Sequence, residues 1–236
     1  MKVLLLHAFP FDERMWEPQL AALAQHDVLA PHLYGLGSSM DEWAASVAEL
    51  VGGSQSNTVL QGDGVVVVGA SMGGYSAQRL LAHAHVRALM LVGSRAEADP
   101  PERLPARDET IRLIREEGVA ALWEKQRPVL FPENADEGVV TRARELALDQ
   151  DPEELATGVA AMRDRPDSAD LVRETGAQVL VARGEHDPFL SGDEAEAMAA
   201  SARSGRSHTF AGSGHLPSLD RPEEFNELLT EFLAGV

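Results

Sequence analysis

The stretch VVVVGASMGGYSAQRLLAHA, residues 65–84, constrains the fold more than any other part of the chain. Four valines run into a serine flanked by small residues, and an amphipathic helical pattern begins at once. Unbroken apolar runs of this length mark strands buried on both faces, as in parallel sheets. The strand Val65–Val68 has counterparts at Val3–Leu6, Val28–Ala30, Ala88–Val92, Val179–Ala182 and Ser207–Phe210. Helical patterns lie between them at Asp41–Val51, Met72–His83, Gly192–Ala202 and Pro222–Ala234, the last expected to start from Asp220 as N-cap. This alternation predicts an α/β fold, a mostly parallel doubly wound sheet with helices on both faces.

One segment breaks the alternation. From Arg95 to Arg173 no strand pattern occurs, and helical stretches follow one another at Ala106–Glu117, Val119–Lys125, Ala135–Leu148 and Pro152–Arg163. The expectation is a core formed by residues 1–94 and 174–236, with residues 95–173 inserted in its second half as a helical cap.

Composition narrows the possible partners. A net charge of −18 over 236 residues opposes binding to nucleic acid or to an anionic membrane surface. No apolar run approaches the roughly 18 to 20 residues of a membrane span, and MKVLLLHAFP reads as a strand rather than a signal peptide. The chain has no cysteine, which removes disulfides and thiolate chemistry and fits a cytoplasmic protein. Of its 20 basic residues only Lys2 and Lys125 are lysines, a bias with a hint of thermal or salt adaptation.

Gly69-Ala70-Ser71-Met72-Gly73 is a G-x-S-x-G motif between a strand and a helix, the context of a nucleophile elbow. Such a turn projects the Ser71 hydroxyl from the carboxyl edge of the sheet, beside a helix N-terminus that stabilises negative charge. Gly-rich turns also cradle phosphates, but neither a G-K-[ST] nor a G-x-G-x-x-G pattern is present. A serine nucleophile needs a histidine base and an acid, here in the order serine, acid, histidine. His215 stands in a Gly-Ser-Gly loop between the last strand and the last helix. His83 and His85 follow the helix after Ser71, His26 and His32 flank the second strand, and His186 and His208 lack such a loop. For the acid, Asp187 and Glu185 both follow the preceding strand; Asp187, further out on the loop, is favoured over a turn role before Pro188.

Together, LLLHAFPFD (4–12), PHLYGLGSS (31–39), GASMGG (69–74), RGEHDPF (183–189) and GSGHLPSLDRPEEF (212–225) resemble the α/β-hydrolase superfamily. Within it the chain looks like the compact Ser-His-Asp group of carboxylesterases, 3-oxoadipate enol-lactonases and cofactor-free perhydrolases. The resemblance implies Ser71 as nucleophile, His215 as general base and Asp187 as its orienter. The backbone N–H groups of Phe9 and Met72 would form the oxyanion hole. It implies no metal and no cofactor. The chain departs from the family pattern at Ala8, where glycine is usual, and at His32, where an aspartate is usual. It begins at the strand before the oxyanion loop, which implies a reduced sheet of about six strands. Serine at position 71 separates it from the aspartate-dependent dehalogenases and epoxide hydrolases, and Leu216 after His215 separates it from the hydroxynitrile lyases.

The expected substrate is a small-molecule ester or lactone, with Trp123, Phe131 and Met162 from the cap and Phe9, Met72, Phe189 and Leu216 from the core as apolar wall. A carboxylesterase of short to medium acyl chains is the first reading. An enol-lactone hydrolase would need a cation for a free carboxylate, for which Arg95 is a candidate unless it pairs with Asp99 or Glu97. A non-catalytic ligand receptor on the same fold is the third. The expected assembly is a monomer or homodimer.

Overall fold

The computed structural model describes residues 1–52 and 64–236; residues 53–63 of the expected core lie outside the described part. Six strands form one sheet: β1 (Lys2–Leu6), β2 (Asp27–Leu29), β3 (Val65–Ala70), β4 (Val86–Val92), β5 (Gln178–Gly184) and β6 (Gly205–Phe210). Their order is β2-β1-β3-β4-β5-β6 and every pairing is parallel. The observed strands outrun the apolar runs at several ends. Gln178 and Arg206 join the ladder because it is held by backbone hydrogen bonds, which are indifferent to side-chain polarity.

The period of two along each strand divides the core into two layers. Leu4, Leu6, Val65, Val67, Leu89, Leu91, Val179 and Val181 face one layer, with helices α1 (Met40–Gly52), α2 (Met72–Leu80) and, later in the chain, α7 (Gly192–Ser201). Val3, Leu5, Val66, Val68, Met90, Leu180 and Phe210 face the other, against a 3₁₀ helix at Glu13–Gln19 and the last helix. Both faces are therefore covered, which is why β3 can be valine four times over and buried throughout.

Between β4 and β5 the long elements are helices: α3 (Leu104–Leu130), α4 (Glu137–Leu148), α5 (Pro152–Arg163) and α6 (Ala169–Glu174). The two helices expected at Ala106–Glu117 and Val119–Lys125 meet within α3 at Gly118, whose φ of 84° breaks the helical course between them. The segment does not float above the sheet. Ile114, Leu122, Leu155 and Val159 join the first core layer, and Trp123, Leu130, Leu146 and Ala147 join the second.

The C-terminal part holds α8 (Pro217–Asp220) and α9 (Pro222–Ala234). Asp220 is the last residue of α8 and the N-cap of α9 is Arg221, which corrects the expected cap. The Asp220 carboxylate instead turns back to the preceding loop, because two donors await it there. It accepts from Ser213 Oγ at 2.6 Å and from the Gly214 N–H at 2.8 Å. No helix among the described residues is long and apolar enough to cross a membrane.

Candidate active site

The strand order reverses at β1, whose neighbours are β2 on one side and β3 on the other. In open parallel sheets the crevice beyond the carboxyl ends of the strands at such a switch point is the usual place for a ligand. The loop after β1 carries Phe9 and the turn after β3 carries Ser71. The pairing of Ala70 with Val92, Val92 with Ala182 and Gly184 with Phe210 brings the ends of β3 to β6 to one edge. Ser71, Asp187 and His215 are thus delivered to the same rim from far apart in sequence.

Ser71 has φ 49° and ψ −111°, the one non-glycine residue with positive φ among the described residues. Such a conformation costs roughly 1–3 kcal/mol and persists only where the surroundings over-determine it. The Ser71 N–H donates to Val92 O at 2.7 Å, and the buried Ser94 hydroxyl donates to Ser71 O at 2.9 Å. A Cβ on Gly73 would fall on the Leu6 carbonyl and 2.7 Å from His7 O, so only glycine lets α2 start this close to β1. The clamp from Ser94 was not legible in the sequence, since a serine after a buried strand carries no distinguishing pattern.

His215 Nε2 stands 2.8 Å from Ser71 Oγ, and His215 Nδ1 stands 2.9 Å from Asp187 Oδ1. His215 is 2% exposed and the Asp187 side chain is fully enclosed. Asp187 Oδ1 also accepts from the Phe189 N–H at 2.8 Å, which fixes the carboxylate, and the Phe189 ring meets the imidazole edge-on at 4.7 Å. Glu185 is not brought to this line; its carboxylate accepts from the Gly212 N–H at 2.8 Å on the outside. The other candidate histidines stand elsewhere: His83, His85 and His186 are exposed, and His32 lies between Glu13 and Glu154 at 3.2 and 3.3 Å.

Met72 is the first residue of α2, where N–H groups lack intrahelical acceptors. Phe9, from the loop after β1, borders the same cavity as Ser71. That loop is braced by His7, whose Nε2 accepts from the Leu33 N–H at 2.9 Å. Burial pushes the His7 pKa down to about 3, so the ring is neutral and remains an acceptor at ordinary pH.

The cavity over Ser71 and His215 measures about 340 Å³. Its floor includes Phe9 and Tyr75, and its sides include Pro188 and Phe189. Its roof is helical: Arg103 ends the 3₁₀ turn just before α3, Ala106, Arg107 and Thr110 lie on the start of α3, Gln126 and Leu130 at its far end, and Val159 and Met162 on α5. Of the expected wall, Met162, Phe9 and Phe189 border the cavity. Trp123, Phe131 and Leu216 do not, which corrects their assignment. Trp123 and Phe131 pack on each other at 6.4 Å between centroids, and all three are buried in the second core layer. Met72, also expected in the wall, is fully buried and does not border the cavity. Arg95 also falls outside: it pairs with Glu194 at 2.6 Å and approaches Glu97 at 4.0 Å.

Asp12, Glu13 and His32 bring potential metal-ligand atoms within 4.8 Å of one another. Asp12 is already taken by Arg14, at 2.6 Å, and by Gln150, at 2.6 Å, so the group reads as an ion-pair network.

A parallel sheet with a serine on its sharpest strand-to-helix turn, met by a buried histidine, defines a hydrolase of the α/β class. Residues 3–228 match the model of the alpha/beta hydrolase family, and the chain belongs to that family. No curated protein matches it in sequence. Among solved structures it is similar to a thermophilic esterase from Thermogutta terrifontis with malate bound. The two share 30% identity over 100% of this chain and 90% of that one, at a TM-score of 0.90. An esterase from Exiguobacterium antarcticum shares 21% identity over 99% of this chain and 92% of its own, at a TM-score of 0.85. An enol-lactonase from Burkholderia xenovorans shares 22% identity over 99% of this chain and 91% of its own, at 0.83. The last two likenesses speak for the fold.

Proposed function

We propose that the protein is a serine hydrolase that cleaves small carboxylic esters of short to medium acyl chain through an acyl-enzyme on Ser71. The observation that carries this reading is the unbroken line from Ser71 Oγ to His215 at 2.8 Å and from His215 to Asp187 at 2.9 Å, with Ser71 and His215 bordering one cavity. His215 Nε2 takes the Ser71 proton as Oγ attacks the ester carbonyl. The tetrahedral oxyanion is met by the N–H groups of Phe9 and Met72. His215 then gives the proton to the departing alkoxide, and the alcohol leaves. A water activated by His215 attacks the acyl-enzyme, the carboxylic acid departs and Ser71 regains its proton. Asp187 holds the imidazole with Nδ1 protonated and stabilises the imidazolium. Every group in this cycle is supplied by the chain itself.

The helices of residues 95–173 serve as the cap that sets which acyl groups enter. The reading includes a cytoplasmic location, supported by a chain without cysteine. Hydrolysis of an enol-lactone is the second reading: it needs the same groups, and two arginines on the cavity roof favour it.

The test is covalent. A fluorophosphonate probe is expected to add to Ser71, located by peptide mass spectrometry, and p-nitrophenyl acetate hydrolysis to fall by roughly 10⁴-fold or more in a folded Ser71→Ala protein. Labelling elsewhere, with activity retained in that variant, would sink the assignment.

A further inference from the structure

Gly158 lies midway along α5, where a glycine is out of place. Glycine is the poorest helix former after proline, so a helix interior keeps one only for a local cause. Here the cause is a contact. A Cβ on Gly158 would lie 2.9 Å from Cε1 of Tyr34 and 3.6 Å from Sδ of Met72, the residue after the nucleophile. Carbon atoms in good contact stand about 3.5–4.0 Å apart, so only a bare Cα lets α5 come down this far on the loop after β2.

Tyr34 has little room to yield. It is buried, and its ring meets those of His7 at 5.1 Å, His32 at 5.4 Å and Trp43 at 6.2 Å, each edge to face. These neighbours are themselves fixed. His7 Nε2 accepts from the Leu33 N–H, and Trp43 Nε1 donates to Gly37 O at 2.9 Å. The same loop meets the first turn of α5 again, where His32 stands 3.3 Å from Glu154. The loop of residues 31–37 is therefore the seat of α5. On that helix Val159 and Met162 border the cavity over Ser71, one and four residues after Gly158. A change in the height of α5 moves both.

We infer that Gly158 is a positioning residue for substrate choice: by letting α5 rest on Tyr34, it sets the depth of the cavity over Ser71 and so the length of acyl chain accepted. This rests on the hydrolase reading above and names what limits its substrates. Neither Gly158 nor Tyr34 borders the cavity, so a substrate feels them only through the height of the helix. One added methyl group has to raise α5 by about 0.6 to 1 Å to restore ordinary contact with the ring. Val159 and Met162 rise with it, and the cavity gains depth.

The test is Gly158→Ala, read with p-nitrophenyl esters from acetate to decanoate. The expected result is an optimum moved towards longer chains, with kcat/KM for octanoate relative to butyrate up about fourfold for each methylene admitted. If the contact were slack, the exchange would simply strengthen the helix. An unchanged length profile, with a raised melting temperature, therefore overturns the inference. Tyr34→Leu added to Gly158→Ala removes the ring edge and should bring the optimum back. Tyr34→Phe added instead should not, because the Tyr34 hydroxyl is buried without a partner and takes no part in the contact. A shift that Tyr34→Leu leaves untouched also overturns the inference. Crystal structures of wild type and Gly158→Ala need no turnover and so separate this from a failure of the hydrolase reading. A helix α5 raised by about 0.6 to 1 Å supports the inference even if no ester is cleaved. A helix left in place, with the Tyr34 ring turned aside, overturns it even if esters are.

Discussion

The backbone N–H of His215 donates to the carbonyl of Leu130 at 3.0 Å, so the loop that carries the histidine is tied to the end of α3. The helical segment therefore does more than roof the cavity; it sets where the imidazole stands. The contact is close enough that a Cβ on Gly214 would lie 2.7 Å from Leu130 O and 2.9 Å from Pro132 Cδ. Gly214→Ala is expected to push loop and helix apart and shift His215 from Ser71. Displacements of about 1 Å in such a line can cost 100-fold, so kcat should fall by roughly 10- to 100-fold with a smaller change in KM. Full activity at an unshifted melting temperature would show that the imidazole is positioned by its own loop alone.

The sequence offers both Asp187 and Glu185 and favours Asp187, and the surroundings of the two differ. Asp187 meets the imidazole at 2.9 Å, and Glu185 instead accepts from Gly212 N–H at the surface. Asp187→Asn is expected to lower kcat by roughly 10⁴-fold, since an amide favours the wrong imidazole tautomer and leaves the imidazolium uncompensated. Glu185→Gln should stay within about threefold, because a side-chain amide oxygen still accepts from Gly212. The ratio of the two losses, measured with one p-nitrophenyl ester, decides which acid serves.

The parts of the site that sequence exposed are those with a local cause. Ser71 could be read because a positive-φ turn between strand and helix demands glycines at fixed offsets, and His215 because its loop is rich in them. The four central strands, β1, β3, β4 and β5, were legible because both of their faces are apolar. What could not be read depends on where distant elements meet. Trp123 and Met162 look alike in sequence, both large apolar residues on helices of one segment. Trp123 packs in the second core layer against Phe131, while Met162, on α5, borders the cavity. Asp220 matched an N-cap pattern, yet two donors in the loop before it, Ser213 and Gly214, claimed its carboxylate. Arg95 was a cation candidate from its place at the start of the helical segment, and Glu194 from α7, distant in sequence, pairs with it at 2.6 Å outside the cavity.

His7 makes the protein sensitive to acid. Its ring is buried, accepts from Leu33 N–H at 2.9 Å and has its pKa pushed down to about 3 from 6.5. In the unfolded chain it takes a proton near the ordinary value, so between these values the unfolded state binds more protons. The neutral ring's contribution is complete above that ordinary value and is lost as pH falls through the window, at about 1.4 kcal/mol per pH unit. Urea unfolding at successive pH values is expected to show this slope in the wild type and a slope shallower by that amount in His7→Gln. Glutamine keeps an acceptor for Leu33 but does not titrate. Equal slopes in the two proteins would mean that the folded state accommodates a charged His7.

Acyl-chain length tests the roof of the cavity. The reacting carbonyl is fixed by loops of the sheet edge, so the chemistry is indifferent to what lies beyond it. Each added methylene gains about 0.8 kcal/mol until it meets a wall. Against neutral p-nitrophenyl esters, kcat/KM is expected to rise from acetate to about butyrate or hexanoate and to fall well before palmitate, because the space is only about 340 Å³. Met162 borders that space, and Met162→Ala should move the optimum towards longer chains. Trp123 is 3% exposed and packs on Phe131 away from it. Trp123→Ala should therefore cost stability, about 3–5 kcal/mol for a buried aromatic, and leave the length optimum in place. A profile that climbs steadily to palmitate would describe an open surface rather than a roofed cavity, and a shift caused by Trp123→Ala but not by Met162→Ala would put the wall on the other side of α3.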